Sequence, residues 1–328
     1  MLHFCVFPRR VSGLFLIFLL ALPLGSGCGS PPATPDVLLS PVPSLERSQV
    51  IVLGDIDADE PVKKVKRFSP LAEYLAKNLS EQGIRGGRVV IAKSIEEMGR
   101  FLKEGEVDIY FDSGFPTLEA QRLSGSQVIL RRWKQESATY WSTFVARRDS
   151  GIDGIEDFVG KVVAFEEPYS TSGFILPAGT MKQRGFNLRR VSSPATEAGP
   201  DEIGFFFSFD EENTIELILE GRVAGGGISN QDYESLPPEL MDRLVRFDRT
   251  ITVPRQLVSV RPGLAAPLVE KVRDLLVGLE RTEEGRQLLA GLKKTSKFGA
   301  LSPETEASLA ELQELIRLVP EGQPGPNG

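Results

Sequence analysis

The chain of 328 residues is 41% apolar, enough for two lobes of roughly 100 to 150 residues each with ordinary cores. Its 45 acidic against 38 basic residues give a net charge of −7, which excludes the basic surface that a nucleic-acid partner requires. His3 is the only histidine, and Cys5 and Cys28 are the only cysteines.

At the N-terminus Arg9 and Arg10 precede an apolar run from Val11 to Leu24, followed by "GSGCGS" around Cys28. The run is shorter than the roughly 20 residues that cross a bilayer as a helix, so residues 1–27 read as an export signal. "LGSGC" resembles a bacterial lipobox, with Gly25 standing where Leu is usual and Leu24 one place earlier. The expectation is cleavage before Cys28, acylation of that Cys and an extracytoplasmic protein anchored to the membrane rather than spanning it; the alternative is simple cleavage that leaves a free thiol. Without residues 1–27, which carry Arg9 and Arg10 but no acid, 36 basic residues face 45 acidic ones, a net −9. The remaining chain has no His and only Cys28, which excludes internal disulfides, His-based triads, Cys/His zinc sites and histidine acid/base work.

Residues 28–47 hold the Cys and a Pro-rich tether, with five Pro in "GSPPATPDVLLSPVPSLER", a composition that stays extended. "QVIVLGDI" then reads as a buried strand. "SPLAEYLAKNLSEQG" reads as a helix with Ser69 as cap and Pro70 at its first position. "GRVVIAK" follows as a strand, "SIEEMGRFLKEG" as a helix opened by a Ser94/Glu97 capping box, "VDIYF" as a third strand and "TLEAQRLSG" as a short helix. This alternation signals a largely parallel sheet with flanking helices. After the strand-like "YWSTFVARRDS" the pattern restarts. "IEDFVG" reads as a helix with Asp153 and Glu156 at capping-box spacing, "KVVAFEEP" as a strand, "STSGFILPAGTMKQRG" as a helix, "LRRVSS" as a strand, "NTIELILEG" as a helix and "RVAGGGIS" as a strand. Strand-like "QLVSVRP" and two amphipathic helices, "AAPLVEKVRDLLVGLERTEEGRQLLAGLKK" and "PETEASLAELQELIRLV", complete the chain. The expected architecture is a two-lobed α/β protein: residues 48–145 form the first part of lobe 1, 146–245 form lobe 2, 246–318 return to lobe 1 with the C-terminal helices, and 319–328 are a disordered tail. A cleft between such lobes is a common ligand site.

The most suggestive stretch is "EEPYSTSGF", where Ser170, Thr171 and Ser172 lie between a strand end and a helix start, with Gly173 permitting close backbone approach. A helix N-terminus supplies unpaired amides and a positive dipole end, and three hydroxyls add donors, so an anion can be held without Lys or Arg. A helix cap with spare hydroxyls explains the same residues. In "FDSGFPT", Asp112, Ser113 and Phe115 follow the third strand and face the cleft, although turn chemistry also accounts for Asp-Ser-Gly. The basic run from Lys63 to Phe68 stands before the first expected helix, where it either steers an anion inward or forms a solvated face. "DIDADE" imitates half a calcium loop, but Glu60 and Lys66 replace the required Gly and Glu, so no calcium is expected. No phosphate-binding G-x-x-x-x-G-K, no H-E-x-x-H and no Ser-x-x-Lys occurs, which argues against an enzyme; no metal and no cofactor is expected.

"VDIYFDSGFPTLEA", "YWSTFVARRDSGIDGIEDFVGKVVAFEEPYSTSGFILP" and "ILEGRVAGG", in that order and spacing, resemble the substrate-binding proteins of phosphonate, phosphite and phosphate ABC importers, a branch of the type 2 periplasmic binding protein fold. The similarity covers roughly residues 48–300. It implies a monomer that captures a phosphorus oxyanion or its organic ester between two closing lobes and delivers it to membrane permease subunits. In that family the Ser-Thr-Ser segment holds the oxyanion, here Ser170, Thr171 and Ser172. Tyr140 and Ser142 match a Tyr-x-Ser pattern whose aromatic ring lines the pocket, although a strand Tyr also suits a core. Relatives often carry a Gly-Pro turn and Tyr where this chain has Asp112 to Pro116, and a His-Asp pair where it has Glu211 and Glu212. The acids put simple phosphate or phosphite in doubt and favour a ligand bearing an amine, unless they are solvated surface carboxylates. A solute-sensing lipoprotein of the same fold, signalling to a membrane partner, would use the same cleft.

Overall fold

The computed structural model describes residues 45–57, 61–134, 136–292 and 295–319. The export segment, Cys28, most of the tether, part of the calcium-like stretch and residues 320–328 lie outside them.

The first half runs β1 (Val50–Ile56), α1 (Pro61–Asn78), β2 (Gly86–Ala92), α2 (Ile95–Glu104), β3 (Ile109–Asp112), α3 (Gly114–Ser124) and β4 (Gln127–Lys134). A short β5 (Thr139–Tyr140) leads to β6 (Ser142–Arg147), β7 (Val162–Phe165), α4 (Leu176–Gln183), β8 (Leu188–Arg190), β9 (Ile203–Phe207), α5 (Glu211–Leu219), β10 (Gly225–Ser229), α6 (Asn230–Glu234), α7 (Pro238–Met241) and β11 (Leu244–Arg249). The chain returns through β12 (Val253–Pro254) to β13 (Gln256–Val260), α8 (Ala266–Gly278), α9 (Glu283–Gly291), β14 (Thr295–Gly299) and α10 (Pro303–Leu318).

Two six-stranded mixed sheets result, in the orders β14-β4-β13-β3-β1-β2 and β11-β6-β10-β7-β9-β8. In the first, β2, β1 and β3 are parallel and β13, β4 and β14 antiparallel; in the second, β8, β9, β7 and β10 are parallel and β6 and β11 antiparallel. The two passages between the sheets pair with each other, β5 against β12, through Tyr140 and Val253. The second sheet spans 142–249, starting earlier and ending later than the expected 146–245. The strands "IGFFF" and "LVRFDR", which complete it as β9 and β11, carried no recognised signal in the sequence.

Several local expectations are corrected. Ser69 and Pro70 do not open α1 but lie inside it, and Ser69 donates its hydroxyl back to the Val65 carbonyl at 2.8 Å. Val65, Phe68, Leu71, Ala72 and Leu75 continue one apolar stripe through the proline, and burying that stripe outweighs the one lost backbone bond. The basic run therefore forms the first turns of α1. "IEDFVG" is a single 3-10 turn, Ile155–Phe158, because Val159 is already extended and Gly160 turns at φ 77° straight into β7. α3 begins at Gly114, so most of the supposed loop "FDSGFPT" is helical. Val319, expected in the disordered tail, is buried in the core. Ser94 does cap α2, accepting the Glu97 N–H at 3.2 Å.

The apolar core is continuous from one lobe to the other. Tyr110 and Phe115 of the first lobe, Phe144, Phe165 and Phe174 of the second, and Leu309, Leu312 and Leu315 of α10 belong to one buried cluster. Added Cβ atoms at Gly114 and Gly179 would lie 2.6 Å from Leu312 and 2.8 Å from Leu315. Helix α10 thus straps α3 to α4 at the closest approach glycine allows.

Candidate functional site

Strands β7, β9 and β10 end at the same edge of the second sheet, and β1 and β3 end at the facing edge of the first. Carboxyl ends of parallel strands are where open α/β sheets present ligand-binding loops.

The stretch following β7 is not a plain helix start. Residues Thr171–Ile175 form a π turn that runs into α4, with the Ile175 N–H bonded to the Ser170 carbonyl at 3.0 Å. Such turns recur at functional sites because they splay side chains that a regular helix would stack. Phe174 anchors this one, its ring centroid 5.3 Å from Phe165 and 4.8 Å from Phe207. Gly173 approaches its own lobe closely: a Cβ there would lie 2.5 Å from Glu166.

Each of the three hydroxyls has a different environment. Ser170 Oγ caps the turn, accepting the Gly173 N–H at 2.8 Å, and donates to Glu166 Oε2 at 2.6 Å. Thr171, 2% exposed, reaches across to the first lobe, where its Oγ1 accepts the Phe115 N–H at 2.9 Å and donates to Ser113 Oγ at 3.0 Å. Ser172 is half-buried and, with Thr171, lies near the Tyr140 hydroxyl. Tyr140 is buried at the crossover, and burial raises its pKa above the ordinary phenol value. Ser113, Tyr140, Thr171 and Ser172 thus meet where the two lobes touch.

The other expected residues divide. Asp112 lies at this junction with its carboxylate engaged, accepting from the Tyr110 hydroxyl at 2.7 Å and the Ser113 N–H at 2.6 Å. Phe115 contributes its backbone N–H, while its ring is buried in the core. Ser142 is fully buried inside the second sheet, donating to the Ile228 carbonyl at 3.3 Å. Glu211 is half-buried and turned inward; Glu212 is exposed, its N–H held by Asp210 at 2.7 Å.

Glu211 shares its surroundings with Glu166 and Asp232, the latter bonded by the Ser229 hydroxyl. Burial, then the neighbouring Asp232 carboxylate, pushes the Glu211 carboxyl up to about 9, and burial also raises Glu166. Excess negative charge is therefore confined here, and one proton relieves it. These acids line one end of a cavity of ≈ 860 Å³ between α5 and the α6–α7 segment, with Ile215, Leu219, Leu236 and Leu240 as its apolar floor.

Two buried arginines near the junction were not foreseen. Arg132 on β4 is 5% exposed, its Nε meets no acceptor, and burial pushes its pKa down to about 10. Arg255, beside β13, is 9% exposed, donates from Nε to Gln231 at 2.9 Å and lies 4.4 Å above the Tyr140 ring. Asp55 at the end of β1 pairs with Lys64 at 2.8 Å, and burial raises its carboxyl to about 6. A charged residue in the middle of the strand "QVILRRWK" was the one available signal for Arg132. Among the described residues no group of three or more His, Cys, Asp or Glu is arranged to hold a metal, and no helix is long and apolar enough to cross a membrane.

The arrangement offers neutral donors at a lobe junction, with buried acids and buried arginines near it. Comparison with known proteins is consistent with that geometry. The family described as periplasmic substrate-binding proteins of phosphonate ABC transporters matches residues 56–305. The phosphonates-binding periplasmic protein of Escherichia coli K12 is 21% identical over 264 residues, covering 78% of this chain and 74% of that one. Among solved structures, XAC2383 of Xanthomonas citri, bound to chloride, superposes with a TM-score of 0.78 at 24% identity, over 83% of this chain and 99% of the other; the same protein bound to ATP gives 0.77. PhnD1 of Prochlorococcus marinus in complex with methylphosphonate gives 0.57 at 16% identity, over 82% of this chain and 98% of the other.

Proposed function

The chain belongs to the family of periplasmic substrate-binding proteins of phosphonate ABC transporters, and from that premise we propose that it captures a phosphonate, phosphate, phosphite or related oxyanion between its lobes for delivery to permease subunits, as a monomer tethered through acylated Cys28. The observation that carries this reading is the junction itself. Thr171 joins the Phe115 N–H and Ser113 across the cleft while Ser172 and Tyr140 meet beside it. A hydroxyl that bonds both lobes is replaced by an oxyanion with little loss, since each phosphoryl oxygen accepts from the same donors more strongly than a neutral hydroxyl does.

Ligand capture then couples to closure. An anion touching Ser170, Thr171 and Ser172 on one lobe and the α3 N-terminus on the other stabilises the closed form by its differential contacts, with β5 and β12 as the hinge. Glu211, with Glu166 and Asp232, favours a ligand that also carries an amine, because a nearby ammonium compensates the confined negative charge.

Calorimetric titration of the purified protein with phosphate, phosphite, methylphosphonate and aminoethylphosphonate tests this. Heat from at least one phosphorus oxyanion, strongest for the amine-bearing one, is expected; silence from all four would overturn the ligand class. Cys28 acylation is tested by mass spectrometry of the membrane-extracted protein against a Cys28→Ala variant, which is expected to be released in soluble form.

A further inference from the structure

Two guanidinium groups, Arg132 and Arg255, are buried to 5% and 9% exposure at the junction. Among the described residues neither makes an ion pair within 4 Å, Arg132 Nε meets no acceptor, and Arg255 Nε donates to a neutral amide, Gln231. They are close enough to disfavour each other's charge. The local acids act on them only at a distance and have other partners. Asp55 and Asp112 favour the Arg132 charge, but Asp55 is paired with Lys64 at 2.8 Å and Asp112 is occupied by Tyr110 and the start of α3. Glu166 and Glu211 feel Arg255 without forming an ion pair with it. An uncompensated buried charge is costly, and two beside each other more so. Folds keep such pairs where an anion from outside completes them.

Their position fixes what that anion is attached to. Arg255 lies against the face of Tyr140, while the Tyr140 hydroxyl lies near Thr171 and Ser172. The guanidinium is therefore about one aromatic ring away from the hydroxyl cluster.

We infer that the ligand carries two anionic groups: a phosphoryl group held by Ser170, Thr171 and Ser172, and a second carboxylate or phosphoryl a few bonds away, held by Arg132 and Arg255. This rests on the cleft being the ligand site, and it narrows the ligand class to phosphoryl compounds that carry a second anionic group, with or without an amine. A guanidinium fork binds either group bidentately, and a monoanionic alkyl tail gives it nothing to accept its protons.

The test is calorimetric titration of the purified protein and its variants with methylphosphonate, phosphonoacetate, 3-phosphonopropionate and succinate. For the unmodified protein at least one phosphonocarboxylate is expected to bind tenfold or more tightly than methylphosphonate. In Arg132→Gln and in Arg255→Gln the affinity loss for that phosphonocarboxylate is expected to exceed the loss for methylphosphonate by at least tenfold. Arg132→Lys, which keeps the charge without the fork, is expected to fall between, and melting curves confirm that each variant is folded. Equal losses for both ligands, or no preference in the unmodified protein, would overturn the inference. If succinate binds and no phosphonate does, the arginine pair stands and the phosphonate reading falls; if none of the four binds, both fall.

Discussion

Thr171 Oγ1 in the second lobe accepts the backbone N–H of Phe115 in the first at 2.9 Å. These residues are 56 positions apart in sequence, and their bond is buried. The hydroxyl at the centre of the expected oxyanion cradle is therefore also an interlobe fastening. Ligand binding and lobe contact act on the same few atoms.

Thr171→Val keeps the side-chain volume and deletes the hydroxyl, leaving the buried Phe115 N–H without its partner. An unsatisfied buried donor costs about 1–3 kcal/mol, so urea unfolding is expected to report a loss in that range. Affinity for the best ligand in calorimetry is expected to fall by more than about 0.5 kcal/mol, the low end of the net value of one hydrogen bond. A smaller change in affinity would remove Thr171 from the binding site.

Glu211 sets a pH dependence whose sign follows from its proton. Its carboxyl is raised from 4.5 to about 9, first by burial and then by Asp232, so the folded chain keeps a proton that the unfolded chain releases above pH 4.5. Its contribution to stability is complete below that value and is lost as pH rises towards about 9. Asp55, raised to about 6, acts in the same direction but finishes at lower pH. Between about pH 7 and pH 8.5 the melting temperature is expected to fall, and to fall less in Glu211→Gln. Identical slopes would mean that Glu211 is ionised throughout.

Aminoethylphosphonate adds a second readout of the same group. An ammonium beside Glu211 lowers its pKa, so binding near neutral pH is expected to release a proton. The observed heat then varies with the ionisation enthalpy of the buffer, and this variation is expected to shrink in Glu211→Gln. A buffer-independent heat would exclude contact between the amine and Glu211.

Gly227 on β10 faces Pro177 of α4, and an added Cβ would lie 2.5 Å from the proline ring. The ring has no flexible end to yield, so Gly227→Ala displaces α4 or the strand. Overpacking of this kind costs typically 1–3 kcal/mol. Because α4 continues directly from the Thr171–Ile175 turn, ligand affinity is expected to fall along with stability, although Gly227 carries no donor.

Leu312→Ala removes a fully buried side chain of α10 from the core shared by both lobes. A loss of about 2–5 kcal/mol in urea unfolding is expected. The loss comes in one cooperative transition if α10 unites the lobes, and in two if each lobe unfolds separately.

The alternation of buried strands with amphipathic helices, the Ser94 cap and the hydroxyl cluster before α4 are local patterns, and the sequence displays them directly. So does the absence of His beyond residue 3, which removes whole classes of chemistry with no geometry needed. The helix wrongly started at Ser69 shows the limit of local signals, since the apolar stripe through Pro70 has value only once there is a core to bury it in. What tertiary structure alone decided is which polar groups lack partners. Arg132 on β4 and Arg255 just before β13 are 123 positions apart in sequence but neighbours in the first sheet, and Glu166 after β7, Glu211 at the start of α5 and Asp232 in α6 come from three separate segments. Each is an ordinary surface-type residue in the sequence. Their charge becomes consequential only when distant strand ends converge and exclude water, because the cost of an uncompensated charge depends on burial and neighbours rather than on residue type.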